Sequence, residues 1–103
     1  MQATVVSEAD KLVLRVTGSL SFTDSREWRI LVEDMLDKDA TSHILDITAL
    51  EMVDSAGLGM MLTMKKWAED RNRKMKLRFD NASVVGGMVR LAKFDGMFDS
   101  EER

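Results

Sequence analysis

At 103 residues, the chain is long enough for one domain, residues 1–103, built around a single small core. Its 45% apolar and 32% charged content is that of a globular protein, and a net charge of -3 argues against nucleic acid as a partner. The absence of cysteine excludes disulfides and thiolate catalysis, and a single histidine excludes a multi-histidine metal site. No cofactor is implied. The first residues, MQATVVSEADK, lack the basic start and sustained apolar stretch of a secretory signal. No apolar run approaches the roughly 20 residues of a membrane span, so no membrane insertion and a cytoplasmic location are expected.

In chain order, Thr4 to Ser7 and Lys11 to Thr17 read as two strands, with Glu8-Ala9-Asp10 turning between them. The spacing suits an antiparallel hairpin, and Gly18 is expected to end its second strand. Leu12, Leu14 and Val16 alternate with Val13, Arg15 and Thr17, so one face should be the more buried. Thr23 or Asp24 can cap a helix that runs to about Asp37, with Trp28, Leu31, Val32, Met35 and Leu36 at helical spacing. Asp39 to Ser42 is polar loop. Ile44, Leu45 and Ile47 form a short apolar run typical of a central strand. A short connection leads to Asp54-Ser55, after which Leu58, Met61, Leu62, Met64 and Ala68 return to helical spacing. Asp70 to Lys74 is a charged turn and Met75 to Phe79 a fourth strand. Ser83 or Asn81 caps a third helix through Phe94, which Asp95-Gly96 breaks. The alternation predicts an α/β fold with a mixed sheet of about four strands and helices mainly on one face.

The stretch from Ile44 to Ala68 organises the rest. Asp54 and Ser55 carry short oxygen-bearing side chains where strand gives way to helix, and either can cap the first turn. Gly57 and Gly59 each cost up to about 1 kcal/mol relative to Ala in a helix. Two such residues imply that something approaches this backbone closely, and a partner's backbone is the expected visitor. Catalytic readings fit poorly. A serine-hydrolase elbow needs glycine two residues before Ser55, where Val53 stands, and a base that His43, alone and at the start of a strand, does not supply. Neither a P-loop nor the third glycine of a dinucleotide site is present. Glu51 and Asp54 read as solvated or capping carboxylates.

Asp54-Ser55-Ala56-Gly57-Leu58-Gly59 resembles the D-S-[SAT]-G-L-G signature of STAS domains, specifically the bacterial anti-sigma factor antagonists. Leu12 to Leu20, LVLRVTGSL, resembles the family's second strand and G-x-L turn. Leu77 to Phe98 resembles its N-x-S helix start and final L-x-x-x-G-[LM]-F segment. The resemblance covers Val5 to Phe98. It implies a non-enzymatic partner-switching regulator of transcription, with Ser55 as the phosphate acceptor and no catalytic residue. It further implies a partner surface of Asp54, Ser55, Ala56, Gly57, Leu58, Gly59 and Met60. The implied partners are a GHKL-type serine kinase that doubles as anti-sigma factor, bound by the unphosphorylated chain, and a PP2C-type phosphatase. An alternative is a constitutive STAS subunit of a larger assembly, such as a lipid-transport complex. Ala56 leaves one acceptor where the family often has two, and Ser21 stands where it commonly carries aspartate. The family usually continues with a strand and helix beyond Phe98, so shortened or missing C-terminal elements and an open sheet edge or helix face are expected here.

Two further features read structurally. Met60, Met64 and Trp67 widen the apolar arc of the central helix and are expected to be mainly core, with any exposed part facing a partner. Arg71, Arg73, Lys74, Lys76 and Arg78 read as a solvated turn and strand edge.

Overall fold

The structure, a computed structural model, describes the backbone of residues 1–102 and the side chains of residues 1–100; residue 103, at the end of the expected domain, lies outside the described residues. Strands β1 (Gln2–Glu8) and β2 (Lys11–Leu20) form the expected antiparallel hairpin, paired from Gln2 with Thr17 to Glu8 with Lys11. Gly18 bends β2 rather than ending it. It adopts a left-handed φ of 78°, the register shifts between Gly18 and Ser19, and the strand runs on to Leu20. That extension pairs in parallel with β4 (Leu50–Val53), a strand where the sequence predicts only a connection.

A 3-10 turn (Phe22–Asp24) leads into helix α1 (Ser25–Leu36), which returns the chain to β3 (Ser42–Asp46) beside β2. After β4 come helix α2 (Ser55–Asp70), strand β5 (Met75–Phe79) and helix α3 (Val84–Leu91). Ser83 caps α3, its hydroxyl oxygen accepting the Gly86 N–H at 2.9 Å. The helix stops short of Phe94 because Lys93 turns left-handed, with φ 63°. A short helix α4 (Phe94–Met97) follows, and its Phe94 ring packs 5.5 Å from that of Phe98.

The C-terminal strand is present. Strand β6 (Asp99–Glu102) runs parallel to β5 and covers the edge expected to lie open. Among the described residues the sheet therefore has six strands instead of about four, ordered β1-β2-β3-β5-β6 with β4 beside the end of β2. Only β1 is antiparallel to its neighbour, so the sheet is mixed, as expected.

Alternation along the strands separates two faces. Leu14 and Val16 of β2, Leu45 of β3, and Leu77 and Phe79 of β5 are buried together against the helices. Trp28, Val32 and Met35 meet them from α1, Met61 and Met64 from α2, and Val85 and Val89 from α3. On the other face, free of helices, Val13 and Ile44 are nonetheless fully buried. The forked guanidinium of Arg78 on β5 donates to both carboxylate oxygens of Glu8 on β1, at 2.9 and 3.0 Å. A bridge from β5 to β1 must cross β3 and β2, and so it roofs those two apolar residues.

Arg78 also lies 3.7 Å from Asp46. It is a buried residue of an interior strand, a correction to its reading as part of a solvated edge. Arg71 and Arg73 likewise have fixed tasks. Arg71 donates to Asp37 at 2.8 Å, and Arg73 to the Leu36 carbonyl at 3.0 Å and to Asp39 at 2.9 Å. Together they clamp the α2–β5 turn to the end of α1. No described helix is long and apolar enough to cross a membrane.

Candidate functional site

The start of α2 sits where β2 and β4 end. Asp54 has extended backbone angles, and its carboxylate accepts the Gly57 N–H at 2.7 Å. Its own N–H donates to the Leu20 carbonyl at 3.3 Å, and its carbonyl accepts from Leu58 at 3.0 Å. Asp54 is therefore the cap, and Ser55 is the first helical residue. Composition could not decide between them, since both are good capping residues; backbone geometry does. Ser55 is exposed, and among the described residues nothing hydrogen-bonds its hydroxyl. A modification there would leave the cap in place.

The two glycines serve different ends. Gly57 is buried, and a Cβ built on it would lie 2.5 Å from the Leu20 carbonyl oxygen and 2.5 Å from Cγ2 of Val53. The backbone approaching Gly57 is the chain's own. This corrects its assignment to a partner-contact role. Gly59 faces open space, with nothing within 4 Å of a built Cβ. Ala56 and Met60 are half-buried, and Leu58 packs partly on the core. The Met60 carbonyl accepts the indole N–H of Trp28 at 3.1 Å, which fixes α2 against α1. Met64 is core, as expected, while Trp67 stays half-buried with the Arg29 guanidinium 6.0 Å from its ring centroid.

Ser21 and Asp24 shape the adjoining turn. Asp24 stands at the N-cap position of α1, but its carboxylate accepts the Ser21 N–H at 3.0 Å instead of a helix N–H. The Met1 α-amino group lies 3.2 Å away. The Ser21 N–H first, then the terminal amine, hold the Asp24 carboxyl below its ordinary pKa, against opposing desolvation. Asp24 thereby pins the segment that follows Leu20, the residue against which Gly57 packs.

Exposed apolar side chains, which periodicity alone did not select, flank these elements. Phe22 follows Ser21 and is 72% exposed, Met52 lies on β4, and Val84 opens α3. Leu58, Met88, Leu91 and Ala92 line a groove of about 300 Å³ between α2 and α3, with Leu91 86% exposed. The one signal for them in the sequence is an apolar residue at a turn or helix start, as at Phe22.

Chemically the site offers a free hydroxyl, a capped helix start and an apolar surround. His43 is buried at the start of β3, its Nε2 2.8 Å from the Lys38 carbonyl oxygen, and does not adjoin Ser55. Among the described residues no group of three or more candidate ligands could hold a metal ion.

A family model described as Mlab, STAS domain, matches residues 3–99. Solved structures share the fold. An anti-sigma factor antagonist from Mycobacterium paratuberculosis is 13% identical, with a TM-score of 0.81 over 96% of this chain and 83% of that one. The anti-sigma factor antagonist SpoIIAA in its unphosphorylated form is 18% identical, with a TM-score of 0.72 over 99% and 89%. The Bacillus cell fate determinant SpoIIAA in its phosphorylated form gives 18%, 0.71, 99% and 91%. At such identities the likeness is one of fold.

Proposed function

The chain belongs to the STAS family, and we propose that it is a non-enzymatic partner-switching regulator of the anti-sigma factor antagonist kind. The unphosphorylated chain binds a GHKL-type serine kinase or anti-sigma factor through Asp54 to Met60, Gly57 excepted, and the flanking apolar residues. Phosphorylation of Ser55 releases the partner, and a PP2C-type phosphatase resets the chain. The carrying observation is the exposed Ser55 hydroxyl beside a cap made by another residue. Support also comes from the fold shared with SpoIIAA, a protein solved in phosphorylated and unphosphorylated forms. Incubation with candidate kinases and ATP, followed by phosphopeptide mapping, should place one phosphate on Ser55. Full modification of Ser55→Ala would sink the proposal.

A second reading is a constitutive STAS subunit of a larger assembly, such as a lipid-transport complex, with Ser55 unmodified. Ser21 favours it. The residue standing where antagonists commonly carry aspartate is here tied into a turn with Asp24. Partner binding insensitive to Ser55→Asp would support this second reading over the first.

A further inference from the structure

The two edges of the sheet differ in a way that neither fold nor switch requires. Strand β6 has an acidic sequence, DSEE, a composition that disfavours pairing with a like strand. Strand β1, at the opposite edge, has no such guard. From Gln2 to Ser7 it carries no charge, proline or glycine, and Thr4-Val5-Val6 favours extended pairing. Its single charged residue, Glu8, is turned across the sheet to Arg78. Among the described residues no strand pairs with the outer side of β1, so that row of N–H and C=O groups faces outward. Ala3 and Val5 on the helix face and Val6 on the other are only half-buried. A neighbouring strand would cover the remainder on both faces at once.

We propose that β1 is an interface for a second copy of this chain, the two β1 edges pairing antiparallel about a two-fold axis. Directly opposite residues in such a pair share a face. An axis perpendicular to the sheet, through Thr4 or Val5, satisfies this and keeps both helix layers on one side. Centred on Val5, it sets Val5 against its copy, Thr4 against Val6, and Glu8 against Gln2. Centred on Thr4, it sets Ala3 against Val5 and Gln2 against Val6. Neither register brings like charges together. A copy of β1 is thus a self-complementary occupant, whereas a copy of β6 is not. Seven residues make an edge of roughly 24 Å. That is less than a standard interface provides, so the dimer is weak and concentration-dependent. The proposal does not rest on phosphorylation of Ser55.

Sedimentation velocity on the full chain, from about 10 µM to about 1 mM, tests an association of this size. The mass should rise from 11.7 kDa toward twice that value and stop there. Thr4→Asp should stay at one chain throughout. Thr4 is exposed and sits opposite Arg15, so the new carboxylate suits the monomer. In the dimer it faces either its own copy or Val6. Hydrogen exchange should show the outward amides of β1 gaining protection with concentration in the wild type alone. A single-chain mass at every concentration, growth past the dimer, or equal dimerisation of Thr4→Asp would each overturn the proposal.

Discussion

Replacing Gly57 with alanine sets two effects of opposite sign against each other. Helix propensity favours alanine by up to about 1 kcal/mol, and by less in a first turn. Against this, the new Cβ meets the Leu20 carbonyl oxygen and Cγ2 of Val53, each at 2.5 Å. The Val53 methyl can move a little by rotation. The Leu20 carbonyl cannot easily yield, because it accepts the Asp54 N–H at 3.3 Å and Leu20 is paired with Val53 in the β2–β4 ladder. Overpacking of this kind costs about 1–3 kcal/mol, so the net loss should be about 1–2 kcal/mol. For a domain this small each kcal/mol shifts Tm by about 4–8 °C. Gly59→Ala is the control, since its Cβ enters open space. It should gain about 0.5–1 kcal/mol from propensity alone. Urea and thermal denaturation of both variants would measure the gap. Equal stability of the two, or a stabilised Gly57→Ala, would refute the assignment of Gly57 to internal packing. Under the proposed function, Gly59→Ala should also weaken partner binding despite its firmer helix.

The remaining predictions concern the cap, the turn, the open sheet face and the switch. Asp54→Ala should cost about 0.5–2 kcal/mol by urea titration, whereas Ser55→Ala, which removes no cap, should stay within about 0.5 kcal/mol of wild type. Because the Asp24 carboxyl titrates below its ordinary value in the folded chain, its stabilisation is complete above about pH 4 and lost as pH falls through the lowered pKa. Urea midpoints of Asp24→Asn, followed from pH 6 to about pH 2, should therefore fall less steeply than those of the wild type. Arg78→Ala uncovers Val13 and Ile44 and takes one partner from the half-exposed Glu8 and from Asp46, which Arg15 and Thr48 still hold, so it should cost about 1–3 kcal/mol by the same titration. Ser55→Asp should keep the wild-type circular dichroism spectrum and a Tm within a few degrees, yet lose at least about tenfold in partner affinity, or 1.4 kcal/mol, by calorimetric titration.

Much of this fold was legible because its central elements repeat strong periods. Helix α2, with Met61, Met64 and Ala68 inward, reflects its own apolar spacing, and strand β3 was marked by Ile44 and Leu45 although its equally buried Ser42, His43 and Asp46 carry no apolar signal. Strand β4 escaped detection because Leu50-Glu-Met-Val53 exposes its two middle residues and depends on the Gly18 bend for a partner. Strand β6 escaped because an acidic tetrapeptide has no strand-like composition; it forms where the β5 edge offers a backbone ladder. The left-handed turn at Lys93 had no glycine to announce it, and burial of Phe94 and Phe98 accounts for the new direction. At the site, the residue types were legible but their division of labour was not. Which of Asp54 and Ser55 caps, and which glycine is needed for packing, depends on where Leu20 lies. That residue is 34 positions before Asp54 in sequence and within hydrogen-bonding distance of it in space.

The division between Asp54 and Ser55 bears directly on how a phosphate would act. If Ser55 were the cap, esterifying its hydroxyl would change the bond that starts α2, and the helix itself could respond. With Asp54 as cap, the Gly57 N–H is already satisfied at 2.7 Å. A phosphate on Ser55 would add about -1.5 to -2 charge beside an existing carboxylate. The helix dipole favours that charge by roughly 0.3–1 kcal/mol, and repulsion from Asp54 across exposed, high-dielectric surroundings opposes it by a similar amount. The two nearly cancel, and the fold has little reason to change. A partner closing over the same spot meets a different balance. It must strip water from two adjacent anions, at a cost of several kcal/mol unless it brings cations of its own. The exposed Phe22, Met52, Val84 and Leu91 nearby are suited to an apolar contact and offer those anions no cation. The phosphate would therefore act on the interface and leave the domain intact. For the same reason, a partner lined with arginine opposite Ser55 would reverse the sign of the switch, binding the phosphorylated chain more tightly than the bare one.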